Sequence, residues 1–254
     1  MIARVGLGLA LVGAPVAAQH LEARIRAAPA GVVRLTFAAR PDVCGTDRGV
    51  GMSGRRRSGL EEVAYDCPPG PVRVSLTVRD GTVESVRTYV GGRWVSPAPG
   101  ATVTDLGTVA TRAAADFLLA LAAQDRGRAS RDAIFPATLA DSVTVWPRLL
   151  ALARDERVSG PTRRQAIFWL GQAAEDAATH GLTALVDDTT ADRAVKEQAV
   201  FALSQRPRAE GIPALLRIAR THPEAAVRRR ALFWLGQSDD PRALALFEEL
   251  LTQP

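Results

Sequence analysis

The sequence predicts an α+β protein: a small disulfide-linked antiparallel β domain followed by an all-α solenoid of tandem helical repeats. Three observations carry this. Residues 32–39 and 72–79 alternate apolar and polar side chains with the period of two that a half-buried strand requires. From Thr111 onward apolar residues recur every three or four positions, the period of a helix with one buried face. Within that helical half, three segments align without gaps at separations of 33 and 32 residues.

Residues 1–18 have the pattern of a secretory signal peptide. Arg4 is its positive end, Val5 to Val12 its apolar stretch, and Val16, Ala17 and Ala18 a small-residue cleavage site. Cleavage is expected near Ala18, and with it a periplasmic or secreted location. The apolar stretch is too short to span a bilayer and no later one reaches about 18 residues, so no transmembrane segment is expected in the mature chain. The 254 residues, 47% apolar and 23% charged, have an ordinary globular composition. A net charge of +5, spread along the chain, gives at most weak attraction to an acidic surface.

Residues 19–108 form the expected β domain. Val33, Leu35 and Phe37 share one side of a first strand, and Val72, Val74, Leu76 and Val78 one side of a second. Asp80 and Gly81 suit a tight hairpin turn, and Thr82 to Val90 is the returning strand. Arg93, Trp94 and Val95 begin another short strand before Pro97, Pro99 and Gly100 interrupt it. The chain's two cysteines, Cys44 and Cys67, are expected to pair in an oxidising compartment and to staple the glycine-rich segment between them. Loop-entropy models value such a bridge at roughly 3 kcal/mol. A reactive free thiol is the alternative.

Residues 109–254 form the expected solenoid, clearest over 161–254. Thr111 suits the cap of a helix through Ala122. The aligned segments 163–172, 196–205 and 228–237 make Ala166, Ala199 and Ala231 equivalent. Trp169 and Leu170, Ala202 and Leu203, and Trp234 and Leu235 follow at i+3 and i+4, so one buried face is repeated three times. Thr189 with Asp192, and Thr221 with Glu224, have the spacing of capping boxes, and Gly171 and Gly236 suit helix ends. Segment 146–154 echoes 212–220 at a separation of 66, two periods. With Val227, Arg228, Ala231, Leu235 and Gly236, these segments resemble HEAT-like repeats, including the variant of phycobilisome lyases, over about residues 140–254. Lys196 and Ser204 depart from that pattern, and the N-terminal domain resembles no family. The resemblance implies stacked helix pairs and a curved binding scaffold.

Little in the chain points to catalysis. Residues 49–54 have the G-x-G-x-x-G spacing but lack the strand before and helix after it that a pyrophosphate site needs. His20, His180 and His222 have no metal-ligand spacing, and neither H-E-x-x-H nor G-x-S-x-G occurs. No catalytic residue, metal or cofactor is therefore expected, and a nucleic-acid partner conflicts with export.

The candidate interaction residues are cations. Arg55, Arg56 and Arg57 lie together in the cysteine-bounded loop, where they suit phosphate or carboxylate groups. Arg163, Arg164, Lys196, Arg228, Arg229 and Arg230 fall at equivalent places in successive repeats. They form either an internal ladder with Asp187, Asp188 and Glu224, or a basic groove for an acidic partner. Trp169 and Trp234 are expected to pack in the core, and Gln172, Gln205 and Gln237 to bond last-turn carbonyls with their side chains. The function expected is an exported, non-enzymatic protein–protein interaction scaffold of the cell envelope. The alternatives are an enzyme or lyase-like chaperone using the solenoid as a cradle, and a polyanion-binding protein.

Overall fold

The computed structural model describes residues 16–41, 43–46, 49–52, 54–58, 61–65, 70–124, 127–173 and 176–252, with side chains between 46 and 69 outside the description. Of the expected signal peptide, residues 1–15 lie outside the described residues, and Val16 to Ala18 form the first turn of helix α1 (Val16–Arg26). Leu21 and Ile25, one turn apart, are buried with Ala18 on a single face of that helix.

A four-stranded sheet follows, made of β1 (Gly31–Phe37), β6 (Val72–Arg79), β7 (Thr82–Val90) and β8 (Val103–Thr108), in the order β7-β6-β1-β8. Strands β1, β6 and β7 pair antiparallel, with Leu35 opposite Val74 and Leu76 opposite Val86. The β6–β7 turn places Asp80 at φ 50 and Gly81 at φ 70, the pair of left-handed residues that a two-residue hairpin of this twist requires. Alternation does what it predicts: Val33, Leu35, Phe37, Val72, Val74, Leu76 and Val78 are all buried on one face. Between β1 and β6 lie two small hairpins, β2 (Val43–Thr46) with β3 (Gly49–Met52), and β4 (Gly54–Ser58) with β5 (Glu61–Tyr65).

One feature corrects the expected antiparallel β domain. Strand β8 runs parallel to β1, with Val33 opposite Thr104, so the sheet is mixed. The expected Cys44–Cys67 staple falls outside the described residues, since Cys67 does; Cys44 is buried on β2. The short strand expected at Arg93–Val95 is not formed. Trp94 instead lies across the outer face of the sheet, with the Arg34 and Arg73 guanidiniums 5.0 and 5.6 Å from its ring centre.

The helical half begins with α2 (Thr111–Ala123), which packs on α1. Then come α3 (Arg128–Asp132), α4 (Ile134–Thr138), α5 (Trp146–Arg154), α6 (Gly160–Gly171), α7 (Ala177–Asp187), α8 (Arg193–Ser204), α9 (Arg208–Thr221), α10 (Ala225–Gly236) and α11 (Pro241–Thr252). Helices α6, α8 and α10 stack in one layer, and α5, α7, α9 and α11 in a second. Ala166, Ala199 and Ala231, the recurrent alanines, are fully buried at the seams, where a larger side chain would hold the helices apart.

A further repeat precedes these three. Ala133, Ile134 and Phe135 stand 33 positions before Ala166, Ile167 and Phe168, and Ala133 and Ile134 are as buried as their counterparts. The helix there is broken into α3 and α4 because Pro136 has no N–H to donate and its ring crowds the carbonyl four residues back, at Asp132. Four repeats result: α3–α4 with α5, α6 with α7, α8 with α9, and α10 with α11. Helix α2 covers the open face of the first, and the Ala39–Ala140 bridge ties the end of β1 to it, with Arg40 N donating to Leu139 O at 2.9 Å. Sheet and solenoid thus share one continuous core.

Candidate interaction surface

The charged residues of the repeats divide into those used by the stack and those left outside it. At the first turn of α6, Arg163 reaches forward to Asp192, 2.7 Å away, at the start of α8. One repeat later Lys196, 5% exposed, reaches Glu224 at the start of α10 in the same way. Asp192 also accepts the Val195 N–H at 2.9 Å. That amide, and then Arg163, hold its carboxyl below the usual range. Lys196 does the same for Glu224. Arg228, at the third equivalent position, bonds the carbonyls of His222 and Pro223 at 2.7 and 2.8 Å. The geometry is therefore a ladder for Arg163 and Lys196, with Asp192 in place of the expected Asp187 and Asp188. Asp187 pairs in the other layer with Arg217 at 2.9 Å, and Asp188 accepts from Thr190.

A second tie closes the opposite end of the repeats. The Arg206 side chain, 2% exposed, donates to Thr179 Oγ1 at 2.8 Å, to Glu210 at 2.9 Å and to Ala173 O. The Thr179 hydroxyl, and then Arg206, hold Glu210 below the usual carboxylate range. In the last turn Asp240, gripped by both the backbone N–H and the guanidinium of Arg242, is lowered to about 2.

What remains outside is a broken basic edge and an unbroken polar row. Arg164, Arg229 and Arg230 are exposed, but the equivalent of Arg164 and Arg229 in the middle repeat is Glu197, paired with Arg193. Among the described residues, no continuous cationic groove runs along the stack. Arg55, Arg56 and Arg57 sit on strand β4, paired with Ala64, Val63 and Glu62, and not on an open loop; their side chains lie outside the description.

Gln172, Gln205 and Gln237, by contrast, are exposed in each of the last three repeats. Their backbone N–H groups close the ends of α6, α8 and α10, so the side-chain amides are not needed there, contrary to the role expected for them. Gln205 donates its amide to Ser204 Oγ.

Two clefts flank this row. One, of about 340 Å³, is lined by Arg40, Thr138, Thr144, Trp169 and Gln172. The other, of about 230 Å³, is lined by Gln205, Gly211, Trp234 and Gln237. They are the same place in the stack two repeats apart, and each has a tryptophan in its wall. These indoles are half-buried rather than central in the core, packed on the preceding repeat through a stacked Phe135–Trp169 pair at 4.9 Å and a tilted Phe201–Trp234 pair at 5.0 Å. In the middle repeat the position is Ala202, which closes directly on Gly171 and leaves no such wall.

Among the described residues, no group of three or more His, Cys, Asp or Glu side chains is placed to hold a metal ion, and no helix is long and apolar enough to cross a membrane. Residues 188–254, the third and fourth repeats, match the family model of HEAT repeats, and the N-terminal region is not recognised. No curated protein matches the chain.

Proposed function

We propose, from the premise that this is a HEAT-like repeat protein, that it is an exported, non-enzymatic scaffold of the cell envelope that binds a protein partner along the Gln172–Gln205–Gln237 row. HEAT repeats point to protein–protein interaction. The observation that carries the finer reading is that row: three exposed amides, one in each of the last three repeats, beside two clefts walled by Trp169 and Trp234. A primary amide both donates and accepts, so a regularly spaced set suits the alternating N–H and C=O groups of an extended peptide, while the indoles offer apolar walls to its side chains. Export rests on the leader pattern of residues 1–18.

The test is capture from an envelope extract with the mature chain, run beside the triple variant Q172A/Q205A/Q237A. The wild type is expected to retain a partner that the variant loses, with unchanged circular dichroism. A partner retained equally by both, or recovery of nothing above a repeat-scrambled control, would sink the proposal.

A further inference from the structure

Arginines gather on the outer face of the sheet without the carboxylates that neutralise Arg163 and Lys196 in the solenoid. Side chains alternate along a strand, so the burial of Val33, Leu35, Val72 and Val74 sends Arg34 of β1 and Arg73 of β6 outward. Register adds Arg87 of β7: Arg34 and Arg87 stand on either side of Ser75, on the two strands that flank β6. The connection from β7 to β8 then crosses this face. Gly91 and Gly92, at φ 58 and 67, turn the chain back at the end of β7. Arg34 holds the crossing by donating to Val95 O at 2.7 Å, and both Arg34 and Arg73 lie against the Trp94 ring. Arg93, exposed next to Trp94, is a fourth cation.

That charge is uncompensated. Among the described residues, no carboxylate pairs with any of these four arginines. Asp105, opposite Arg34 on β8, accepts the Gly107 N–H at 2.8 Å, and Glu84 pairs with Arg79 at the hairpin end at 3.2 Å. Apolar surface accompanies the cations. Val95 is 45% exposed, and Val103, on the same face of β8 as Asp105, is 38% exposed.

We propose that this face docks on an anionic phospholipid surface, its arginines taking headgroup phosphates while Trp94, Val95 and Val103 meet the boundary between headgroups and acyl chains. Charge complementarity chooses an anionic partner, and guanidinium groups pair with phosphate through two parallel hydrogen bonds. The valines choose a lipid one, because a soluble polyanion accounts for the arginines but gains nothing from exposed apolar side chains. Indoles favour the same boundary layer. A single-stranded nucleic acid needs rings laid open for its bases to stack on, whereas Trp94 is already engaged by two guanidiniums. The contact does not involve the glutamine row.

Cosedimentation of the purified chain with phosphatidylcholine vesicles containing about one-third phosphatidylglycerol reads the contact, beside pure phosphatidylcholine and with single-stranded DNA and polyglutamate as soluble competitors. Binding to the anionic vesicles alone is expected, weakening as salt screens it. A basic residue at such a surface contributes about fivefold, so R87Q/R93Q should weaken binding about thirtyfold while R87K/R93K retains it. V95S/V103S should weaken it about fivefold at unchanged charge. All these positions are exposed, so circular dichroism stays unchanged. Q172A/Q205A/Q237A should bind vesicles as the wild type does, which separates this contact from the peptide row. A chain that ignores the anionic vesicles, R87Q/R93Q or V95S/V103S binding like the wild type, or a soluble polyanion held as tightly as the vesicles would each overturn the proposal.

Discussion

Replacing Arg206 with Met separates the electrostatic tie between repeats from mere packing, since methionine keeps most of the aliphatic bulk and removes the guanidinium. The side chain is 2% exposed and its partners are Thr179, Glu210 and Ala173 O. A charge-assisted hydrogen bond contributes about 1.5–3 kcal/mol net. Breaking a fully buried pair costs about 3–5 kcal/mol because the abandoned charge stays desolvated. Glu210 retains 22% of its side-chain surface in water, so it recovers part of its hydration. The expected loss for R206M is therefore about 2–3 kcal/mol in urea denaturation, or roughly 5–10 °C in Tm for a domain of this size. Adding E210M removes the stranded charge, and the double variant is expected to be more stable than R206M alone. Lys196→Met is the contrast: its partner Glu224 is 39% exposed and rehydrates more fully, so about 1 kcal/mol is expected. An R206M loss below that of K196M, or an R206M/E210M protein weaker than R206M, would refute the reasoning that partner solvation sets the magnitude.

Two helical glycines are expected to respond to alanine with opposite signs. A Cβ on Gly211 would stand 2.4 Å from the backbone oxygen of Leu203, so α9 must move off α8. That strain, typically about 1–3 kcal/mol, exceeds the gain of about 1 kcal/mol that alanine offers in a helix, and urea denaturation should show a net loss. At Gly181 the nearest atom is the tip of Leu150, 3.0 Å away on a flexible side chain, and the same substitution should be neutral or stabilising. Acid should loosen the stack before alkali does. Asp192, Glu210, Glu224 and Asp240 are all held below ordinary carboxylate values in the folded chain, so their stabilisation is fully present above the unfolded values and is lost as pH falls through the folded ones. Tm measured from pH 7 downward is expected to hold until the ordinary carboxylate range and to fall from there toward the Asp240 value of about 2. A Tm unchanged down to pH 2 would contradict these pairings.

The solenoid was legible because stacking demands the same residue at the same burial in each turn. Ala166, Ala199 and Ala231 recur in sequence for the reason that they are fully buried in space. Of the first repeat only α5 is legible, through the echo of 146–154 in 212–220; Ala133, Ile134 and Phe135 lie one period upstream of Ala166, Ile167 and Phe168, but Pro136 takes the place of Trp169 and splits the helix that the pattern would otherwise mark. Strand β8 is an edge with no buried residue, so its side chains carry no apolar alternation. Its parallel pairing depends on a long crossover, which local pattern does not encode. The capping boxes failed for a local reason. Asp192 is itself the cap of α8, and Glu224, at the start of α10, is engaged by Lys196 and accepts no helix N–H. Of the Arg206 tie only Glu210, four positions on, has a legible spacing; Thr179 and Ala173 lie 27 and 33 positions back at places where the other repeats carry different residues.

The same periodicity that gathers cations along a solenoid also delivers the anions that neutralise them. A lysine or arginine in the first turn of one repeat faces the start of the next, where a carboxylate is favoured anyway by the helix dipole and the free amides. The pairs Arg163–Asp192 and Lys196–Glu224, separated by 29 and 28 residues, follow from that arrangement. Recurrent charge is thus ambiguous evidence for a binding groove, since its first use is to hold the stack together. Recurrent uncharged polarity is different. The exposed amides of Gln172, Gln205 and Gln237 close no helix and join no repeats, so packing does not account for their recurrence. A position that repeats without bonding its neighbours is where a scaffold's contacts with other molecules should be sought.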